Sequence, residues 1–195
     1  MAHLALFASG NGSNVQRIAD YFRGHPDVSI DLVLSNNPQA YVLERSQKLN
    51  IPSLVFSRKD FYETNYILDI LLARNITHII LAGFLWLIPE NILKTFQGKI
   101  INIHPALLPG YGGKGMYGTR VHQAVINSGD TSSGITIHYV NETYDEGQII
   151  FQSRCPVVPE DTPETLAGKI HQLEYRYYPE IIEQIVLGKG ATGDR

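Results

Sequence analysis

The chain has 195 residues, of which 44% are hydrophobic and 18% charged, and its formal net charge is -3. This length suffices for one domain with a buried core, and the charge indicates no broad basic surface for nucleic acid. The single cysteine, Cys155, excludes an intrachain disulfide and a cysteine metal cluster. No apolar run approaches the ~20 residues of a membrane span, and none has the flanks of a signal peptide. We therefore expect a cytoplasmic protein with no membrane partner.

The first hundred residues alternate between short apolar runs and helical patterns. Continuous apolar runs bounded by glycine, asparagine or proline are typical of buried parallel strands. The predicted strands are 4–8, 30–35, 53–56, 78–82 and 100–103. The predicted helices are one running through Phe22 and those at 41–49, 59–74 and 90–96. This alternation predicts an α/β fold with a doubly wound, mostly parallel, Rossmann-like sheet.

The regular alternation of strands and helices ends in the second half of the chain. A helix is predicted at 120–127, followed by strands at 134–140 and 148–158. Because a parallel crossover needs about a dozen residues, these two strands should be antiparallel. Residues 162–187 read as a long C-terminal helix that Pro179 should kink or divide, and 188–195 as a frayed tail. The chain is therefore predicted to form a single domain, 1–195.

A glycine-rich segment, Ser9-Gly-Asn-Gly-Ser-Asn14, joins the first strand to the first helix. Gly10 and Gly12 permit tight turns, and Ser13 or Asn14 can cap the helix. Backbone N–H groups at a helix start attract anions, especially phosphate. The spacing matches neither a P-loop nor a dinucleotide fingerprint, so a phosphomonoester suits it better. A plain strand-to-helix turn is the alternative.

Two polar side chains, Asn102 and His104, lie at the end of the fifth strand, where Pro105 stops it. Side chains alternate along a strand, so both point to the same face. An amide can stabilise an oxyanion, and an imidazole can shuttle a proton near neutral pH. Asp145, in the short connection between the two late strands, would raise the imidazole pKa if it lay beside His104. The alternatives are a polar strand end for the pair and a hairpin-turn role for Asp145.

The segment Asn102-Ile-His-Pro-Ala-Leu-Leu-Pro109, followed by Asp145-x-Gly147, resembles the signature of the folate-dependent formyltransferases. Supporting segments resemble the phosphoribosylglycinamide formyltransferase branch of that family. They are 9–14, Leu81-Ala-Gly-Phe84, Gly115-Met-Tyr-Gly118 with Val121-His122, and Gly134-Ile-Thr-Ile-His138. The resemblance covers nearly the whole chain in the same order.

The resemblance implies direct formyl transfer from 10-formyltetrahydrofolate to the amine of glycinamide ribonucleotide (GAR) in purine biosynthesis, with no metal and no covalent enzyme intermediate. It implies catalytic roles for Asn102, His104 and Asp145, with His104 held protonated by Asp145. Residues 1–104 would form the phosphoribosyl half, and 105–188 the folate-binding and catalytic half. The implied substrate-binding residues are Gly12, Ser13, Asn14, His171 and Glu174. The implied folate-binding residues are Lys59, Leu85, Trp86, Leu87, Ile88, Asn102, Tyr139 and Val140.

Some positions depart from the family pattern. Several members carry arginine at Trp86 and near Lys59, and glutamine at His171, which leaves the folate-tail contacts open. His138 is interpreted as a buried strand residue or one beside the site, and His122 as a helix-start or substrate-rim residue. Competing functions are a formyltransferase with a tRNA or amino-sugar acceptor, a formyltetrahydrofolate hydrolase and a non-catalytic phosphometabolite-binding module. The expected assembly is a monomer or homodimer.

Overall fold

The computed structural model describes residues 1–189, which form one seven-stranded sheet with helices on both faces. The strands are β1 (Ala2–Phe7), β2 (Val28–Ser35), β3 (Ser53–Val55), β4 (His78–Leu81), β5 (Ile100–His104), β6 (Ser132–Tyr139) and β7 (Ile149–Pro156). The helices are α1 (Ser13–Tyr21), α2 (Val42–Lys48), α3 (Arg58–Tyr62), α4 (Tyr66–Ala73), α5 (Glu90–Thr95), α6 (Thr119–Ser128) and α7 (Pro163–Val186). Within these residues, no helix combines the length and apolar character needed to cross a membrane.

The strand order is β3-β2-β1-β4-β5-β6-β7. The first five strands are parallel, whereas β6 pairs antiparallel with both β5 and β7. The predicted fold class is therefore confirmed, including the antiparallel pair and the long final helix. Because β1 pairs with β2 on one side and β4 on the other, a crevice opens where the chain reverses direction across the sheet, the usual position of a ligand site in such folds.

Each face of the sheet carries its own apolar core, because successive side chains of a strand point to opposite faces. In β1, Leu4 and Leu6 belong to the core formed with α1, α2, α6 and α7, whereas Ala5 and Phe7 belong to the core formed with α3, α4 and α5. The same alternation in β5 buries Ile101 and Ile103 in the first core. Asn102 and His104 therefore point away from it.

The helix predicted at 59–74 is wrong in one respect, because the structure has two helices there, α3 and α4. The break lies at Thr64. Its hydroxyl donates to the carbonyl of Asp60 at 2.9 Å and accepts from the N–H of Tyr66 at 3.1 Å. Such side-chain bonds compete with the helical ladder, so α3 ends and α4 starts anew.

Helix α7 runs unbroken through Pro179, which was predicted to kink or divide it. The neighbouring Tyr178 is fully buried, and its hydroxyl lies 2.9 Å from the carbonyl oxygen of Leu81 and 3.2 Å from that of Ile101. Tyr178 thus ties this part of α7 to the sheet. Of the predicted tail at 188–195, residues 190–195 lie outside the described residues.

Candidate active site

A cavity of about 690 Å³ lies at the carboxyl ends of β1, β4 and β5. It is lined by the segments 9–14, 81–88, 102–105, 113–118 and 143–145, together with His122, His138, Val140, His171 and Glu174. Residues that are far apart in the sequence thus line the same cavity. The position agrees with the crevice expected from the strand order.

The glycine-rich loop presents the start of α1 to this cavity. Gly12 is the N-cap residue with φ of 74°, and no side chain caps the helix. The prediction that Ser13 or Asn14 caps it is wrong, because the helix begins at Ser13 and both residues lie in its first turn. The first N–H groups of α1 are therefore left without a side-chain acceptor, which suits an anion. The guanidinium of Arg45 braces the loop by donating to the backbone and side-chain oxygens of Asn11, each at 2.9 Å.

A buried carboxylate, Glu174, faces this loop from α7. Its Oε2 accepts from Nδ2 of Asn14 at 3.1 Å and lies 2.9 Å from Nδ1 of His171. The hydrogen bond to Glu174 raises the pKa of His171 above its ordinary value. Oδ1 of Asn14 is buried and has no hydrogen-bond partner within residues 1–189. Three of the residues predicted to bind the substrate are thus linked, because Asn14 and His171 both bond Glu174, and Oδ1 of Asn14 is left as a free acceptor among the described residues.

The amide of Asn102 is oriented by a histidine on the neighbouring strand. Asn102 pairs with His138 across β5 and β6, and its Nδ2 lies 3.1 Å from Nε2 of His138. Nδ1 of His138 lies 2.9 Å from the carbonyl oxygen of Tyr139, an acceptor, so this nitrogen carries the hydrogen. Nε2 of His138 then accepts from Asn102. His138 is 2% exposed and lines the cavity, in agreement with the interpretation of a buried residue beside the site.

His104 lies between two acceptors. Its Nε2 lies 2.8 Å from the carbonyl oxygen of Tyr111, and its Nδ1 lies 3.4 Å from Oδ2 of Asp145. Asp145 also accepts a hydrogen bond from the N–H of Gly113 at 3.0 Å. The fold therefore brings the carboxylate of a distant loop to the imidazole.

Gly147 lets the Asp145 loop approach the sheet closely. A Cβ at Gly147 would lie 1.6 Å from the carbonyl oxygen of Tyr139, which no side chain could tolerate. The Asp-x-Gly spacing seen in the sequence thus has a steric cause: the glycine closes the loop, and the aspartate two residues earlier reaches the site.

The pKa shift of His104 differs in direction from the one that the sequence predicts for an imidazole beside Asp145. Burial lowers the pKa of His104 below its ordinary value, and the smaller opposing effects of Asp145 and the Tyr111 hydrogen bond do not reverse it. Burial raises the pKa of Asp145, but His138, His104 and the Gly113 N–H together hold it below its usual value. Both shifts favour a neutral imidazole beside an ionised carboxylate. Asp145 does raise the imidazole pKa, as the sequence predicts, but burial outweighs it. A protonated His104 stays a prediction that the direction of this shift does not favour.

The residues predicted to bind folate do not all lie in the cavity, although Asn102 does. Residues 85–88 and Val140 line the cavity, whereas Lys59 and Tyr139 do not. Lys59 is an exposed residue of α3, and Tyr139 packs against the core on the other face of the sheet, as its position in β6 requires.

Sequence reasoning missed Arg58, which precedes Lys59. Its guanidinium carbon lies 4.9 Å from the ring centroid of Tyr62 and 5.5 Å from that of Trp86, within cation–π range. The Tyr62 hydroxyl donates to the carbonyl of Leu87 at 2.9 Å, which ties α3 to the cavity wall. A basic residue beside an aromatic cluster was the available signal, but its register was ambiguous by one residue.

Two other residues line the cavity: Lys114, to which the sequence assigned no role, and His122, interpreted from the sequence as a helix-start or substrate-rim residue. Lys114 lies in the loop between β5 and α6. Among the described residues, it is the one lysine or arginine that lines the cavity. His122 is 3% exposed, and its Nδ1 lacks a hydrogen-bond partner in the described part of the chain. Burial lowers its pKa, and His171 adds to this effect. Across residues 1–189, no group of three or more histidine, cysteine or acidic side chains is arranged to hold a metal ion.

Comparisons with known proteins agree on one family. A model of the formyl transferase family matches residues 2–182. The chain is 38% identical over 200 residues to phosphoribosylglycinamide formyltransferase of Bacillus subtilis, with 100% of both chains covered. It is 40% identical over 191 residues to the chloroplastic enzyme of that name from Arabidopsis thaliana, covering 93% of this chain and 64% of that relative. The crystal structure of glycinamide ribonucleotide transformylase 1 from Geobacillus kaustophilus aligns with a TM-score of 0.86 and 37% identity, over 95% of this chain and 99% of the other.

Proposed function

Because this chain belongs to the formyl transferase family, we propose that it transfers a formyl group from 10-formyltetrahydrofolate to the amine of GAR. The product would be formyl-GAR, an intermediate of purine biosynthesis. The observation that carries the proposal is the convergence of Asn102, His104 and Asp145 in one cavity with the start of α1. The start of α1 suits the phosphate of the acceptor, and the three side chains suit the transfer of the formyl group to its amine. A phosphorylated amine acceptor requires these two sites to adjoin each other.

The phosphate of GAR would bind the N–H groups at Gly12, Ser13 and Asn14. Helix starts favour anions because their N–H groups lack partners and the helix dipole is positive there. Glu174 and the buried Oδ1 of Asn14 are acceptors suited to the hydroxyl and N–H groups of the sugar-amide part. His171, which shares the Glu174 carboxylate, would complete this subsite. In the division into a phosphoribosyl half (1–104) and a folate half (105–188), the second half thus also supplies residues to the nucleotide.

The folate would lie along 85–88 and the 139–145 segment, with the aromatic wall of Trp86 toward its tail. Arg58, held over Trp86, is the basic group we assign to the tail carboxylate in place of Lys59. An arginine already stacked on an aromatic ring loses little further freedom when it binds a carboxylate.

In the chemical step, the amine nitrogen attacks the formyl carbon and a C–N bond forms. The carbonyl oxygen becomes an oxyanion, to which Asn102 is positioned as a donor by its hydrogen bond to His138. His104, neutral before reaction, accepts the amine proton at Nδ1, and Asp145 stabilises the resulting imidazolium.

Collapse of the oxyanion breaks the bond between the formyl carbon and the folate nitrogen. The imidazolium of His104 returns its proton to that nitrogen, so that tetrahydrofolate leaves neutral at this atom. The proton that the amine lost is thus the proton that the folate gains, and His104 ends the cycle unchanged.

A steady-state assay tests the proposal directly. Purified protein is mixed with GAR and 10-formyltetrahydrofolate, and both tetrahydrofolate and formyl-GAR are quantified. We expect the two products in equal amounts and no turnover when GAR is omitted. Folate turnover without acceptor would contradict the proposal in favour of hydrolysis, and binding of GAR by calorimetry without turnover would indicate a binding module.

A further inference from the structure

Tyr111, in the loop between β5 and α6, supplies the carbonyl oxygen that faces Nε2 of His104 at 2.8 Å. Its φ is 57°, in the left-handed region that residues other than glycine seldom adopt. Such a conformation is unfavourable and persists only where the surroundings impose it. The position of this carbonyl therefore needs a restraint.

The side chain of Tyr111 provides that restraint. Its hydroxyl donates to the carboxylate of Asp130 and lies 2.6 Å from Oγ of Ser128, at the end of α6. Ser128 in turn donates to the carbonyl of Val125 within the helix at 2.8 Å. A phenol is protonated at neutral pH and can donate, and the bond to Asp130 raises the pKa of Tyr111 further. The phenol is thus tied to α6, and the backbone of the residue is held between that anchor and His104.

The phenol lies outside the active-site cavity. Tyr111 and Asp130 line a separate cavity of about 290 Å³, whereas neither lines the cavity that holds His104. A change at the phenol oxygen therefore removes no group that a bound substrate would contact. An effect on the reaction is therefore indirect, through the backbone of Tyr111 or through α6, whose His122 lines the active-site cavity.

The carbonyl also decides which nitrogen of His104 carries the hydrogen. Both ring nitrogens face acceptors, but Nε2 makes a hydrogen-bond contact of 2.8 Å with the carbonyl oxygen, whereas Nδ1 lies 3.4 Å from Oδ2 of Asp145. A neutral imidazole therefore places its hydrogen on Nε2, at the closer acceptor, and leaves Nδ1 bare. The bare nitrogen then faces Asp145 and the cavity, as acceptance of the amine proton requires. The other tautomer would turn the lone pair of Nε2 against the carbonyl oxygen.

We propose that Tyr111 is a positioning residue: its phenol, anchored on Asp130, holds the carbonyl that fixes the orientation and tautomer of His104. The inference rests on the proposed function for the role of His104 as proton acceptor. Its structural part, the tautomer, does not depend on which acceptor the enzyme uses.

The test compares wild type with Y111F, D130N and the control T131A, which alters an exposed residue lining the same second cavity. We expect Y111F to lower kcat about tenfold, with KM for GAR and the folate within about twofold of wild type. D130N keeps the phenol and the volume of residue 130 and should show a smaller loss in the same direction. T131A should match wild type.

Nitrogen NMR of the His104 ring in the free enzyme separates positioning from simple stability. The wild type should show the Nε2–H tautomer, and Y111F a mixture of both tautomers at a temperature where circular dichroism shows it folded. An unchanged tautomer and unchanged kcat in Y111F would overturn the proposal. If Y111F does not fold, the same two readouts in D130N decide. The tautomer can be measured even in an enzyme that is inactive toward GAR. Failure of the proposed function can therefore be told apart from failure of the Tyr111 proposal.

Discussion

Nδ1 of His104 lies 3.4 Å from Oδ2 of Asp145, and both side chains are largely shielded from solvent. Burial lowers the pKa of His104, while His138, His104 and the N–H of Gly113 together hold the pKa of Asp145 below its usual value. Both shifts favour an ionised carboxylate beside a neutral imidazole. The negative charge is therefore in place before a proton arrives. It favours the imidazolium only once that species forms, which is the behaviour expected of a group that assists proton transfer.

Removing the charge at Asp145 should slow the reaction without unfolding the protein. D145N keeps the volume of the side chain, so we expect kcat to fall by about 10²–10⁴-fold and the far-ultraviolet circular dichroism to be unchanged. The matched control is E146Q, which removes a charge from the exposed neighbour. Equal activity of D145N and wild type would contradict the role assigned to Asp145.

The pKa of His104 can be measured by proton NMR, with H104N used to assign the resonance. It should lie below 6.5, the ordinary value, in the free enzyme, and D145N should lower it further because the carboxylate opposes the effect of burial. The basic form increases as pH rises through this pKa, so the catalytically competent fraction should rise with it and level off by neutral pH. An imidazole still protonated at pH 7 would contradict both the structure and the proton-acceptor role.

Glu174 should act on the nucleotide and not on the folate. E174Q removes a buried charge that accepts from Asn14 and His171, and loss of a charge-assisted hydrogen bond costs about 1.5–3 kcal/mol. We expect KM for GAR to rise by roughly 10- to 100-fold, while KM for the folate stays constant. The pKa of His171 should fall toward its ordinary value, because Glu174 is the main cause of its rise.

The control for this prediction is E180Q, an exposed glutamate on the same helix. It should leave both KM values at the wild-type level. A rise in the folate KM of E174Q equal to the rise in the GAR KM would place the carboxylate elsewhere in the site.

The glycine-rich loop should tolerate a methyl group at one glycine and not at the other. A Cβ at Gly12 would lie 2.4 Å from Cγ2 of Val42, and its φ is 74°, whereas a Cβ at Gly10 would meet nothing within 4 Å. Overpacking and an unfavourable φ should lower the free energy of unfolding of G12A by about 2–4 kcal/mol. Chemical denaturation of G10A should give a value within about 1 kcal/mol of wild type. Similar losses in both variants would show that the loop responds as a unit.

Much of the fold follows from local patterns in the sequence. The order and approximate bounds of the strands were predicted from short apolar runs, and the shared face of Asn102 and His104 from the two-residue period of a strand. The division between α3 and α4 was not predicted, because the apolar spacing continues past Thr64. Only the hydrogen bonds of the Thr64 side chain interrupt the helix.

The sequence by itself determined the alternation of elements, the antiparallel final pair and the polar residues at the end of β5, since these depend on neighbours a few residues apart. Only the tertiary structure decided that Asp145 reaches His104, that Asn14 bonds Glu174 across 160 residues, and that Arg58 rather than Lys59 lies on Trp86. It also decided that burial outweighs Asp145 in its effect on the pKa of His104. The cost of burying a charge depends on every segment packed around it, and no local pattern in the chain records that sum.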